Sequence, residues 1–324
     1  MSVSIVVPCY RSARILPTLV SQLTSAMSAT AEQYEVILVV DGSPDDTWRV
    51  ASALAENHEA VLAILLARNY GQHNALVAGI RSAQYHIVVT MDDDLQHPPA
   101  EVPKLIAALT DDLDLVYAVP VEEEHGAVRS FASRLIKAGL AGPLGIRNAR
   151  LVGAFRVFRA SLRAGFDLAN GPYVSVDVAL SWATTRVGSV QVRMQQRVEG
   201  RSGYTFRSLS RHAANMILGY STTPLRLVTY LGCMVGVGGL LLLAYVLWRY
   251  LHRDTTVAGY TTIASMIALF SSAQMLAVGV LGEYIGRIHA HGIGRPLYVI
   301  RQRTMGPRRE SVHGVEADTR VIAE

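Results

Sequence analysis

Three consecutive aspartates, Asp92-Asp93-Asp94, close an apolar run, HIVVTM (86–91). Carboxylates at i and i+2 on a strand end can turn their oxygens toward one hard divalent cation. Such a cation keeps part of its water shell and takes diphosphate oxygens as its other ligands. Asp92 and Asp94 are therefore the candidate metal ligands, with Mg²⁺ or Mn²⁺ the cations that suit them. A lone D-x-D is more often a capped, solvated turn. Here its place at a strand end, and Asp41 at the end of another apolar run, favour the cation reading.

Other phosphate-handling signatures are absent. No G-x-G-x-x-G follows the first apolar run and no G-x-x-x-x-G-K-[ST] occurs anywhere, which argues against a dinucleotide oxidoreductase and a P-loop NTPase. Two cysteines, Cys9 and Cys233, make neither a disulfide framework nor a metal cage.

The elements that must position these carboxylates are legible as alternation. Short β-branched runs at 4–8, 35–40, 61–67, 86–91 and 114–119 are separated by amphipathic stretches at 14–28, 46–57, 72–83 and 99–109. Continuous apolar strands spaced by helices predict an α/β fold, a parallel sheet covered on both faces. Ligands of such sheets bind beyond the carboxyl ends of the strands. Those ends carry Pro8-Cys9-Tyr10, Asp41-Gly42-Ser43-Pro44-Asp45-Asp46, Arg68-Asn69-Tyr70-Gly71-Gln72 and the three aspartates, a polar set suited to a charged ligand.

Half of the 324 residues are hydrophobic and only 17% are charged, with a mean hydropathy of +0.26. The net charge of +4 conceals a division. Residues 1–128 hold 6 Lys/Arg against 17 Asp/Glu, whereas residues 129–226 hold 15 against 3. The apolarity concentrates at 227–247, 21 positions without a charge, and at 260–282. Each run is long enough to cross a hydrocarbon core of about 30 Å as a helix. The short connection at 248–259 makes them a hairpin. Arg207, Arg211 and Arg226 before it and Arg287, Arg295, Arg301 and Arg303 after it outnumber Arg249 and Arg253 in the connection, so both ends are expected in the cytoplasm. No basic n-region precedes the first strand, and no signal peptide is expected. Gly232 and Gly236 form a G-x-x-x-G, open to close helix packing, homo-oligomer formation or no special role. Phe206, Leu209, Ala213, Met216, Ile217 and Tyr220 make one apolar stripe flanked by Arg207 and Arg211, which reads as an interfacial helix over 206–225. The expected organisation is a cytosolic domain over 1–205, this helix, a transmembrane hairpin over 226–288 and a basic cytosolic tail over 289–324.

SIVVPCYRSA, VILVVDGSPDDT, LARNYGQHNALVAGI, VTMDDDLQHPPAEVPKLI, TTPLR and VLGEYIGRIH, in this order, resemble family 2 glycosyltransferases of the polyprenyl-phosphate type. Undecaprenyl-phosphate aminoarabinose-type transferases are the nearest likeness, with bactoprenol glucosyltransferases and dolichyl-phosphate mannose synthases beside them. The resemblance covers about 1–303. It implies a GT-A fold, residence at the inner membrane with the catalytic domain cytoplasmic, and inverting transfer of one sugar from a nucleotide donor to a polyprenyl phosphate, expected to be undecaprenyl phosphate. The product would serve cell-envelope glycan modification; no nucleic-acid partner is expected.

By position, Asp41 resembles the family's nucleobase- or ribose-contacting aspartate. Asp92 and Asp94 resemble its metal- and diphosphate-binding pair, Gln96 follows in D-x-D-L-Q, and Pro8 and Tyr10 would line the nucleotide. A phosphate monoester acceptor, with a second ionisation near pH 6, needs positioning more than a general base. Arg129 and Ser133 match an Arg-x-x-x-Ser that in the family contacts the acceptor phosphate, and Lys137 continues the same helical face. Arg197, Arg201, Ser202 and Tyr204 fall in a segment resembling a mobile R-x-x-G-x-S-x-Y loop. One position departs: Arg150 stands where relatives commonly carry an aspartate before Gly-Phe-Arg. Asp177 is the nearest substitute, and a helix-capping or ion-paired role suits it equally. Two other classes stay open. A non-catalytic scaffold would keep the fold without the chemistry. A processive synthase is disfavoured by the lack of Q-x-x-R-W.

Overall fold

The computed structural model describes residues 1–121, 152–167, 175–195, 223–251, 259–293 and 296–306. They divide into two compact units, the sheet domain with residues 296–306, and the helices between.

The apolar runs form strands β1 (Ser2–Cys9), β2 (Gln33–Val40), β3 (Val61–Leu66), β4 (Ile87–Thr90) and β5 (Leu115–Pro120), joined by β6 (Arg156–Arg159), β7 (Val187–Val192) and β8 (Ile300–Met305). They make one sheet in the order β7-β5-β6-β4-β1-β2-β3-β8. The pairs β1–β2, β1–β4, β2–β3 and β5–β7 are parallel, while β6 runs antiparallel between β4 and β5, and β8 antiparallel along β3.

Strand alternation sorts the core into two layers. Val3, Ile5, Val7, Val36 and Leu38 meet α1 (Leu16–Ser28), α2 (Thr47–Asn57) and α4 (Val102–Ala107) on one face. Val6, Ile37, Val39, Leu62 and Ile64 meet α3 (Gln72–Ser82), α5 (Ala164–Asp167) and α6 (Val176–Ala183) on the other. Burial on both faces explains why these strands read as unbroken apolar runs. At Gly79 the α3 backbone lies so close to β1 that a Cβ would stand 2.3 Å from Val6 Cγ1.

The apolar alternation predicts β1 to β5 alone, and β6, β7 and β8 are additions the structure makes. Residues 289–324 were expected to be a tail, yet Ile300–Met305 closes the β3 edge of the sheet. Ala67 N–H donates to the Val299 carbonyl (2.8 Å), and Leu297 is buried in the α3 layer. Arg301 and Arg303, read as flanking charges, are exposed residues of that edge strand, and charge on an edge discourages further strand addition.

The other unit holds α7 (Thr223–Leu251) and α8 (Tyr260–Gly292), 29 and 33 residues long. A Cβ on Gly239 would lie 2.8 Å from the Phe270 ring, so these helices approach closely there, whereas Gly232 and Gly236 have nothing within 4 Å among the described residues. Judged on the described residues alone, no helix is long and apolar enough to cross a membrane. The uncharged stretch 227–247 is a property of the sequence. Most of the expected interfacial helix, 206–222, lies outside the described residues.

Candidate active site

A cleft of about 380 Å³ opens at the carboxyl ends of β1, β2, β3 and β4, lined among others by Tyr10, Arg11, Asp41, Gln72, Asp92 and Asp94. The four left-handed residues of the described chain, Arg11 (φ 58°), Gly42 (φ 56°), Gly71 (φ 93°) and Leu95 (φ 58°), each lie in one of its four loops. Backbone of this kind persists only where surrounding contacts hold it, and it gathers at functional sites. At Gly42 a Cβ would stand 2.3 Å from the Arg68 carbonyl carbon, so glycine lets the β2 and β3 loops touch.

Asp41 is 3% exposed, and its two oxygens accept the backbone N–H groups of Tyr70 (2.7 Å) and Gly71 (2.8 Å). Burial raises its pKa and these two donors moderate the rise. It thus builds the β3 loop as well as lining the cleft.

The three aspartates do different work. Asp93 accepts from the Ser12 hydroxyl and from Tyr10 N–H (3.3 Å), tying the β4 loop to the β1 loop. Its pKa is raised, by burial first, with the charge of Asp94 adding to the effect. Ser12 N–H donates to Thr47 Oγ1 (2.9 Å) and Arg11 N–H to Ser43 Oγ (2.8 Å). The Ser43 and Thr47 hydroxyls both donate to Asp45 Oδ1 (2.6 Å each). The GSPDDT segment is therefore a clasp on the β1 loop.

Asp92 and Asp94 are half-buried and line the cleft. Gln72 Nε2 donates to Asp92 Oδ1 (2.7 Å), and Gln96 N–H to Asp94 Oδ1 (3.1 Å). Among the described residues no group of three or more His, Cys, Asp or Glu makes a complete cage. Two carboxylates facing an open cleft fit a cation that completes its shell with diphosphate oxygens and water.

Of the residues expected at the nucleotide, Pro8, Tyr10, Asp41, Asp92 and Asp94 converge on this cleft. Gln96 instead braces Asp94, and its carbonyl accepts Gln195 N–H (3.0 Å). Asp177, on α6, pairs with Arg156, whose Nε donates to Thr90 Oγ1 (2.9 Å), and it accepts from Tyr117 Oη (3.3 Å). Of the two roles open to Asp177, the ion-paired one is what the structure describes. Arg129, Ser133, Lys137, Arg150, Arg197, Arg201, Ser202 and Tyr204 lie outside the described residues. Sequence reasoning missed Arg11 and Ser12, while Gln72 and Asp93 stand in the polar strand-end set without a role of their own.

His97 is 8% exposed, with its ring 5.1 Å from that of Phe155. Burial lowers its pKa, and the nearby charge of Asp94 opposes the shift.

A largely parallel sheet of this order, with an acidic cleft over the ends of β1, β2 and β4, is a GT-A fold. The profile of glycosyl transferase family 2 matches residues 4–164, and that of the GtrB C-terminal hairpin matches residues 223–288. An undecaprenyl-phosphate 4-deoxy-4-formamido-L-arabinose transferase of Yersinia enterocolitica is 30% identical over 317 residues, 97% of each chain. A protein of the same name from Aeromonas hydrophila is 32% identical over 303 residues, 93% of each. A crystal structure of a mycobacterial protein aligns with a TM-score of 0.50 at 20% identity, over 67% of this chain and 72% of that one. The chain belongs to glycosyl transferase family 2 and is a glycosyltransferase.

Proposed function

We propose that the protein transfers one monosaccharide from a nucleoside-diphosphate sugar to undecaprenyl phosphate at the cytoplasmic face of the membrane, with inversion at the anomeric carbon. The observation that carries this reading is the convergence of Asp41, Asp92 and Asp94 on one cleft. Relatives named for undecaprenyl phosphate, alike over nearly the whole chain, supply the acceptor class.

In this reading Pro8 and Tyr10 line the nucleotide while Asp41 holds the Tyr70–Gly71 backbone around it. Asp92 and Asp94 hold Mg²⁺ or Mn²⁺, which when bound offsets the charge that builds on the departing diphosphate. Arg11 adds a cation beside the four aspartates of the cleft. The acceptor phosphate is doubly charged at neutral pH and attacks without first losing a proton. It requires charge compensation, assigned to Arg129, Ser133, Lys137, Arg197, Arg201, Ser202 and Tyr204. Asp177 acts through Arg156, holding it beside Thr90 at the end of β4. The uncharged runs at 227–247 and 260–282 are assigned to a two-span hairpin that keeps this domain at the lipid surface.

Detergent-purified protein, given undecaprenyl phosphate, Mg²⁺ or Mn²⁺ and a panel of UDP-, GDP- and dTDP-sugars, should form a single-sugar glycolipid detectable by mass spectrometry. Asp92→Ala should abolish it. Absence of product across the panel, or wild-type activity in Asp92→Ala, would sink the proposal; polymeric product would point to the processive class.

A further inference from the structure

Gln72 is the first residue of α3, solvent-exposed, and its side-chain amide donates to Asp92 Oδ1 at 2.7 Å. Nothing in the sugar-transfer reading requires a glutamine there. Its position is nonetheless set with care. Gly79 seats α3 against Val6 of β1, and Asp41 holds the two residues before Gln72 through their backbone N–H groups. Asp92 arrives from the end of β4, on the other side of β1 from β2 in the sheet.

We infer that Gln72 is a positioning residue for the metal site, fixing the plane of the Asp92 carboxylate for the cation. The inference rests on the metal reading proposed above. A carboxylate at the end of a strand can turn about its terminal torsion. A neutral donor on one oxygen selects one orientation without adding charge or competing as a ligand. Partners of this kind commonly change metal affinity 10- to 100-fold when removed. Gln72 is exposed, so the low end applies.

The two parts also connect. Asp41 shapes the turn into α3, α3 presents Gln72, and Gln72 orients Asp92. The end of β2 is thereby linked to the end of β4 through the start of α3, so the loop that borders the nucleotide also prepares the metal ligand.

The test is a titration of Mn²⁺ followed by electron paramagnetic resonance on detergent-purified full-length protein, with UDP, GDP or dTDP present. Gln72→Met keeps the side chain's length and removes the donor. Gln72→Asn keeps the amide and shortens its reach. Both should weaken Mn²⁺ binding about tenfold, while diphosphate affinity measured without metal and the thermal midpoint stay at wild-type values. Wild-type Mn²⁺ affinity in Gln72→Met would overturn the inference and leave the metal reading standing. A matching loss of diphosphate affinity without metal would overturn it too, because Gln72 would then be a nucleotide contact. No Mn²⁺ uptake by the unmodified protein with any of the three diphosphates would overturn the metal reading, and the inference with it.

Discussion

The hydroxyl of Ser12, in the loop after β1, donates to the carboxylate of Asp93, in the loop after β4, across 81 positions of sequence. The same hydroxyl accepts Tyr10 N–H at 3.0 Å. The cleft wall that carries Tyr10 is therefore tied to the central aspartate of the three, which lines the cleft together with the outer two.

Replacing Ser12 with alanine removes a donor from the half-buried Asp93 carboxylate and an acceptor from Tyr10 N–H. Tyr10 N–H and Asp93 keep their mutual 3.3 Å contact, and losing a hydrogen bond to a charged group costs about 1.5–3 kcal/mol. Ser12→Ala should lower the thermal midpoint of the detergent-solubilised protein, and it should weaken nucleoside-diphosphate binding because Tyr10 loses the shorter of its two backbone hydrogen bonds. Both are accessible from one ligand-dependent thermal-shift series. Unchanged binding would mean that the Ser43 and Thr47 contacts suffice to hold the loop.

Asp41 supplies a pH dependence whose sign follows from its raised pKa. In the unfolded chain its carboxyl titrates near the usual value of about 4. The folded protein binds that proton more tightly, so Asp41 favours the fold most below the unfolded value. That contribution declines as pH rises through the folded pKa and is constant above it. Asp41→Asn cannot titrate. The wild-type stability minus that of Asp41→Asn should fall from about pH 4 upward and then level off. Thermal midpoints taken at successive pH values measure this difference, and a difference that rises with pH would contradict the assignment.

How far the sequence discloses this site depends on how local each interaction is. β1 to β5, the intervening helices and the cleft at their carboxyl ends follow from apolar runs and amphipathic spacing, because burial on two faces leaves a direct compositional trace. Asp41, Asp92 and Asp94 were readable for the same reason, each standing at the end of such a run. Ser12–Asp93 and Gln72–Asp92 were not, since a hydrogen bond between residues distant in sequence imposes no period on either. β6 and β8 were missed because RVFR and IRQRTM are short and carry two arginines apiece, and Arg156 is buried only by virtue of Asp177 and Thr90.

That ion pair is open to a double-mutant cycle. Arg156 is 1% exposed along its side chain and Asp177 is 14%. Removing one partner of a buried pair leaves an uncompensated charge, at a cost of about 3–5 kcal/mol, whereas replacing both with apolar residues can be close to neutral. Arg156→Met and Asp177→Leu should each lower the thermal midpoint substantially, and the double variant should be more stable than either. Strictly additive losses would show that the two side chains act separately.

β8 gives the last prediction. It covers the outer edge of β3 from Leu62 to Leu66, and Leu62, Ala63, Ile64 and Leu66 are all buried. A chain ending at residue 299 keeps both helices of the hairpin and the buried Leu297, yet it bares the backbone donors and acceptors of a long apolar strand. Such an edge templates pairing between molecules. The truncated protein should therefore unfold at a lower temperature and aggregate in detergent, as followed by static light scattering during heating. Restoring residues 300–306 should recover both properties, while restoring them with Gln302→Pro should not, because proline cannot donate to the ladder it shares with Leu65. A truncated protein that stays monodisperse to the wild-type midpoint would show that the β3 edge does not need its returning strand.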